Sequence, residues 1–262
     1  MGVIVDIFRA VVSFKFYKTV VMRGTGRALM HLLMISLLYT IAFTVFLNMQ
    51  VLSPINLFVD WTAENFPTIM LQGRELTTDA QEPFFATYEN FGLTFVFSTK
   101  QEFTDIGSQA PNTVVVERSR VLFVGNDNTV EEYDLASMKD LPENINVAVD
   151  SEGWIRIKVV LNKWFTPIVF LFVLIFSWIA YLVAAVIYAL LGMIIGLLVR
   201  AKLDFGALAK IAIYAVTLLN LIVILGLFVP LLAFPFRGIV LFILTLGYMT
   251  AGIMVNKPEQ RA

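Results

Sequence analysis

The chain between Pro167 and Val199 reads PIVFLFVLIFSWIAYLVAAVIYALLGMIIGLLV and contains no charged residue. At about 1.5 Å per residue a helix of this length would extend roughly 50 Å, whereas the hydrocarbon core of a bilayer is about 30 Å thick. The stretch therefore predicts one long membrane helix over residues 164–199, which tilts or bends near Gly192 and Gly196. These glycines form a small-xxx-small pattern, which favours close helix packing, either within one bundle or at a dimer face.

Three further apolar stretches are long enough to cross a membrane: residues 28–50, 208–229 and 238–255. Lys210 is the only charged residue inside any of the four stretches, and it lies at the start of one, where its stem can reach the interface. Hydrophobic residues make up 58% of the chain and charged residues 15%, against about 45–50% and 25% in soluble domains. The sequence thus predicts a protein with four membrane helices.

The short segments between these helices are rich in lysine and arginine, which predicts their side of the membrane because such residues concentrate in cytoplasmic loops. The segments 1–27, 200–207 and 256–262 are expected in the cytoplasm, and the turn 230–237 on the outside. Residues 51–163, with 17 acidic and 8 basic side chains, then also lie outside. The cations expected at the cytoplasmic membrane surface are Arg9, Lys15, Lys18, Arg23, Arg27, Arg200, Lys202 and Lys210.

The outer segment 51–163 is long enough for a small domain of its own and is rich in β-forming residues. Runs of Val, Phe and Thr predict strands, and the turn Gly125–Asn128 predicts a hairpin. The strand candidates are Phe84–Tyr88, Leu93–Thr99, Thr113–Val124 and Thr129–Tyr133. The expected fold class is an α+β membrane protein, in which a four-helix bundle carries a β-rich extracytoplasmic domain between its first and second helices.

The first residues of the chain have a helical apolar face opposite Asp6, Arg9 and Ser13. This pattern predicts a helix over residues 3–14 that lies on the inner leaflet of the bilayer. An alternative is that the helix packs beneath the membrane bundle as an elbow.

Several classes of function are excluded by composition. The net charge of −1 is not that of a nucleic-acid-binding surface, so no nucleic acid is expected as a partner. With no Cys and one His, a zinc finger and a catalytic thiol are excluded, and we expect no cofactor, no metal and no enzymatic activity. His31 is expected to be interfacial or capping, and Asn220 to make a hydrogen bond between helices.

The order of features resembles that of the bacterial domain-of-unknown-function family 1189 over nearly the whole chain. The resemblance rests on the run Phe14–Lys18 followed by Gly24–Gly26, on the stretch Phe66–Leu76 with Pro83 beyond it, and on the closing three-span bundle. Some relatives carry a maltodextrin-utilisation label, which implies an accessory role near sugar uptake in the bacterial inner membrane. No biochemical activity and no oligomeric state follow from the resemblance.

Two functions are compatible with these observations. The first is a non-enzymatic inner-membrane protein that displays a small binding, sensing or accessory domain outside the cytoplasm. Its partners would be the lipid bilayer and a membrane or envelope protein. The second is a small transporter or lipid-handling protein that works through helices 2–4, with Asn220, His31 and the Gly192–Gly196 region as working parts.

Overall fold

The computed structural model describes the chain except residues 1, 101–102, 104–111, 126, 128, 139–141, 143, 233 and 258–262. It consists of two compact units, Met1–Gln50 with Phe165–Ala262 and, separately, Val51–Trp164. Four helical segments are long and apolar enough to cross a membrane, and the strands form two sheets. The prediction of an α+β fold with four helices of membrane-spanning length is therefore confirmed.

Among the described residues, helices cover most of the four predicted spans and most of the N-terminal segment. Their bounds are α1 (Val3–Val12), α2 (Phe16–Val21), α3 (Thr25–Leu47), α4 (Ser53–Asn65), α5 (Ser151–Val199), α6 (Phe205–Phe228) and α7 (Arg237–Met254). A π-helical turn, Asn48–Leu52, joins α3 to α4. Helix α5 begins 13 residues before position 164 and remains helical through Pro167, Gly192 and Gly196. The helix is thus continuous through both glycines, and the tilt or bend expected there stays a prediction.

Helix α6 is the centre of the first unit, and α1, α2, α3 and α7 pack around it. Every side chain from Ile211 to Thr217 is buried, as expected for a helix that is apolar on all sides. Helix α7 approaches closely at Gly252, where a methyl group would lie 2.9 Å from both Tyr17 Cδ1 and Ile211 Cγ2. The absence of a side chain at Gly252 therefore allows α2, α6 and α7 to meet.

The second unit contains eight strands in the described residues: β1 (Ile69–Gln72), β2 (Glu75–Thr78), β3 (Phe84–Tyr88), β4 (Leu93–Ser98), β5 (Thr113–Glu117), β6 (Arg120–Val124), β7 (Val130–Asp134) and β8 (Asn146–Val149). One sheet has the order β3-β4-β5-β6-β7, in which only β4 and β5 are parallel, and the other has the order β2-β1-β8. The predicted β6–β7 hairpin is confirmed. The run Thr113–Val124 was wrong as a single strand, because the polar pair Arg118-Ser119 turns the chain between β5 and β6.

The larger sheet has apolar side chains on both faces. On one face Val96, Val115 and Leu122 lie next to one another across β4, β5 and β6 and are fully buried. On the other face, Phe95 of β4 contacts the rings of Phe58 and Trp61 from α4. This face of the sheet and α4 form the aromatic core of the second unit.

The C-terminus of α5 has the two hydrogen bonds of a Schellman motif. The N–H of Ala201 donates to the carbonyl of Gly196 at 2.9 Å, and the N–H of Arg200 donates to that of Leu197 at 3.2 Å. This geometry requires a left-handed residue at position 200, where Arg200 has φ of 56°. Glycine adopts this conformation without the steric cost that a side chain imposes.

We therefore expect Arg200→Gly to stabilise the protein in detergent micelles by about 0.5–1 kcal/mol, because the left-handed strain is relieved. The measurement is the midpoint of thermal unfolding. Lys202→Gly is the matched control, since it removes a cation from the same loop at a position without a positive φ. An equal shift of both midpoints would contradict a specific effect of the backbone at position 200.

Candidate functional site

The second unit contains a pocket with an aromatic wall, which is the candidate ligand-binding site of the chain. Its volume is about 310 Å³, close to the lower limit for small-molecule sites. It is lined by Trp61, Thr87, Tyr88, Glu89 and Asn90. The pocket therefore combines two aromatic rings with a hydroxyl, a carboxylate and an amide.

Three elements position these side chains. Helix α4 supplies Trp61, whose ring centroid lies 5.0 Å from that of Tyr88 at the end of β3. The chain then makes a 3-10 turn, Glu89–Phe91, which ends at Gly92 with φ of 57°. The amide nitrogen of Asn90 donates to the hydroxyl of Tyr88 at 3.1 Å, which fixes the orientation of the amide. The polar rim is thus held on a rigid aromatic base.

This arrangement can bind a ligand that has one flat or apolar face and a hydrogen-bonding edge. Nothing in the pocket pairs a nucleophile with a base. Among the residues that the structure describes, no three His, Cys, Asp or Glu side chains are grouped as metal ligands. The sequence reasoning missed this pocket, because Trp61 lies on a helix that was not predicted and is far from Asn90 in the chain.

A buried ion pair lies at the N-terminal end of the first unit. Asp6 on α1 has no solvent exposure, and its carboxylate accepts a two-pronged contact from Arg23, with Nη1–Oδ2 2.8 Å and Nη2–Oδ1 3.2 Å. Arg27 adds a contact to Oδ2 at 3.0 Å. Burial raises the pKa of Asp6, but the hydrogen bonds and charges of the two arginines outweigh it and hold the pKa below its ordinary value.

Arg23 also joins this pair to the central helix. Its Nη1 donates to the Tyr214 hydroxyl on α6 at 3.3 Å, and its guanidinium lies 4.7 Å from the ring centroid of Phe16. Lys210 on α6 donates from Nζ to the carbonyls of Val21 at 2.7 Å and of Arg23 at 2.9 Å, and so binds the carbonyls at the end of α2. Arg23 and Lys210, both predicted at the membrane surface, thus make contacts within the protein.

The other predicted surface cations have more exposed positions. Lys15, Lys18, Arg27, Arg200 and Lys202 are exposed, and Arg9 is half-buried. Their contact with lipid stays a prediction.

Helix α1 buries the face that carries Asp6. The sequence pattern had predicted that this polar face would be exposed and that the apolar face would be covered. Its exposed face is instead apolar, with Ile4, Phe8 and Val12 exposed by 63%, 68% and 77%. The reason is that the arginines compensate the buried carboxylate, so the polar face can turn toward the bundle. Helix α1 thus packs against α3 and α6, as the alternative of an elbow beneath the bundle predicts. Its exposed apolar side chains remain available to a lipid surface.

His31 and Asn220, the polar residues singled out within the predicted spans, are both buried in the first unit, and the predicted hydrogen bond of Asn220 between helices is not present among the described residues. His31 is fully buried, stacks on Tyr214 with a centroid distance of 4.0 Å, and has Nε2 2.9 Å from Thr217 Oγ1. Asn220 is also fully buried, and its amide donates to the Val216 carbonyl of its own helix at 3.4 Å. His31 Nδ1 and Asn220 Oδ1 have no hydrogen-bond partner among the described residues.

The two predicted packing glycines have different surroundings. A methyl group on Gly192 would overlap Met249 Cε of α7 and lie 3.5 Å from Leu208 Cδ2 of α6. A methyl group on Gly196 would approach only the carbonyl of Ala201, at 3.7 Å. Gly192 therefore lies at a contact between helices, whereas Gly196 lies at the C-terminal cap of α5.

We expect Asp6→Asn to destabilise the first unit by about 2–3 kcal/mol, less than the roughly 3–5 kcal/mol of a fully buried pair, since Arg27 is 40% exposed. The folded-state pKa of Asp6 is lowered, so its stabilisation is complete above the unfolded pKa of about 4 and is lost as pH falls through the folded value. The wild type should therefore lose more stability on acidification than Asp6→Asn. Thermal unfolding in detergent at several pH values measures both effects.

Glu64→Gln is the control, because Glu64 is exposed and the same charge is removed. A double-mutant cycle with Arg23→Gln isolates the pair itself. Additive effects of the two substitutions would contradict the coupling of Asp6 to Arg23.

The chain was compared with known protein families, curated proteins and solved structures. A family model described as "Protein of unknown function (DUF1189)" matches residues 5–253. No curated protein and no solved structure matches the chain. Since the match covers both the membrane-spanning-length helices and the β-rich residues, the chain belongs to the DUF1189 family of proteins of unknown function.

Proposed function

We propose that this protein is a non-enzymatic component of the bacterial inner membrane that displays its β-rich unit as a binding or sensing module outside the cytoplasm. The observation that supports the proposal most is the pocket at Trp61, Tyr88 and Asn90, because an aromatic base with a hydrogen-bonded amide is suited to binding a ligand that has a flat or apolar face. The partners would be a ligand or protein of the envelope, including sugar-uptake machinery, as the family resemblance implies.

The membrane topology is part of this proposal. The segments 1–27 and 200–207, which border helical segments of spanning length, carry an excess of lysine and arginine, and this excess favours both termini in the cytoplasm. Residues 51–163 then lie outside, and the cations of residues 1–27 and 200–210 lie at the inner leaflet. The pocket would therefore face the space in which envelope partners are found.

Single-cysteine variants test the topology cleanly because the chain has no cysteine. Ser119→Cys lies at the exposed turn between β5 and β6, and Thr25→Cys lies at the exposed start of α3. A membrane-impermeant maleimide added to intact cells, with access through the outer membrane if one is present, should label Ser119→Cys and leave Thr25→Cys unlabelled until the cells are lysed. The reverse pattern would contradict the proposed orientation.

Binding at the pocket is tested in the full-length protein in living cells. A photo-crosslinking amino acid at Glu89, on the rim of the pocket, should give a discrete adduct that is absent when it is placed at Tyr133, an exposed position on β7 outside the pocket. Trp61→Phe and Asn90→Ala should each lower the adduct yield, with Asn90→Ala costing about tenfold if the amide is an anchor. Mass spectrometry identifies the adduct.

Maltodextrins added to the cells during crosslinking form a second arm of this experiment. A lower adduct yield in the presence of a maltodextrin would identify a sugar ligand. An unchanged yield with every maltodextrin would direct the search to a protein partner. Equal crosslinking from Glu89 and Tyr133, unaffected by Asn90→Ala, would contradict a binding role for the pocket.

A small transporter or lipid-handling protein is the second candidate function. It is favoured by His31 Nδ1 and Asn220 Oδ1, two of the buried polar atoms that have no hydrogen-bond partner among the described residues, because such atoms at membrane depth are costly and often functional. Asn220→Leu distinguishes the candidates. The substitution should abolish movement of a solute or lipid in proteoliposomes under this alternative, and should change only thermal stability under the binding-module proposal.

A further inference from the structure

A cleft opens between α3, α5 and α6 in the first unit. Its volume is about 400 Å³, within the range of pockets that hold small molecules. It is lined by Tyr39, Phe43, Val173, Phe176, Ser177, Ala180, Tyr181, Leu219 and Val223. The three helices that form it are among the four that are long and apolar enough to cross a membrane, so in a bilayer the cleft would open toward hydrocarbon.

Large aromatic side chains keep the cleft open. Tyr39 stacks on Phe43 with a centroid distance of 5.6 Å, and it meets Tyr181 of α5 edge-on at 6.0 Å. Deeper in the bundle, Thr40 and Ser177 approach to 3.5 Å between their hydroxyl oxygens. Aromatic rings from α3 and α5 therefore form opposite sides of the cleft.

The hydroxyls of Ser177, which lines the cleft, and of Thr40, which lies next to it, are already hydrogen-bonded within their own helices. Ser177 donates to the carbonyl of Leu174 at 3.2 Å, and Thr40 donates to that of Ser36 at 2.8 Å. No charged side chain lines the cleft. The lining is therefore mainly apolar, with the hydroxyls of Tyr39 and Tyr181 as its remaining polar groups, and it offers shape and dispersion contacts to an apolar occupant.

We propose that this cleft binds one acyl chain of a membrane phospholipid. The mouth of the cleft is continuous with a surface suited to lipid, since Phe172, Phe176 and Ile179 of α5 are exposed by 56%, 62% and 47%. Apolar burial gives little driving force inside a bilayer, so binding depends on the fit of the chain against the aromatic wall. The inference is independent of the pocket in the β-rich unit.

The test uses the full-length protein in nanodiscs that contain a phospholipid with a diazirine on one acyl chain. Ultraviolet light should attach this lipid mainly to the cleft residues, with peptide mass spectrometry giving the positions. Ala180→Phe places a ring in the cleft and should reduce these adducts about tenfold. Ile175→Phe is the matched control, because it adds a ring at an exposed position of α5 that does not line the cleft, and it should leave labelling of the cleft unchanged.

Thermal unfolding of both variants verifies that each is folded, and Ala180→Leu provides a smaller filling side chain if Ala180→Phe is unstable. Labelling that is equal over the cleft and the exposed face of α5, or that persists in a folded Ala180→Phe variant, would overturn the proposal. Crosslinks between two copies of the chain at the cleft, in place of lipid adducts, would overturn it as well.

Discussion

The ion pair between Asp6 and Arg23 is the contact on which the N-terminal half of the first unit depends. A carboxylate without solvent exposure is stable only if its charge is compensated, and the fork of Arg23 with the additional contact from Arg27 provides this. Arg23 in turn reaches Tyr214, and Lys210 binds the backbone of α2. Two short helices, each too short to be stable alone, are thereby attached to the central helix α6.

The polar residues of the first unit continue from this pair along α6. Tyr214, which accepts a hydrogen bond from Arg23, carries His31 on its ring face, and His31 contacts Thr217 one turn further along. Asn220 lies at the next position on this side of α6. These polar side chains run from the Asp6–Arg23 ion pair at one end to the unpaired amide oxygen of Asn220 at the other. The interior of the first unit is therefore more polar than its composition indicates.

The sequence was most informative where one physical rule dominates. Long uncharged runs such as Pro167–Val199 can satisfy their backbone only as helices in hydrocarbon, so the membrane-spanning-length helices could be predicted. Strand β3 and the β6–β7 hairpin could also be predicted, from composition and a turn. Helix α4 and strands β1, β2 and β8 could not, since their short segments carry weak periodicity and are stabilised by tertiary contacts.

The candidate sites were harder to predict for the same reason. Asp6 appeared to belong to an exposed polar face because its partners, at positions 23 and 27, follow a change of chain direction. The pocket at Trp61 and Asn90 depends on a helix and a turn that meet only in the folded unit. Residues that meet in this way leave no local pattern in a single sequence.

Gly252 has an evolutionary consequence. An added carbon at this position would lie 2.9 Å from both the ring of Tyr17 and the side chain of Ile211, which is closer than van der Waals contact. A larger residue at 252 is compatible with this bundle only if one of those neighbours becomes smaller. Across the family, these three positions are therefore expected to co-vary in size, with their summed volume more constant than any one of them.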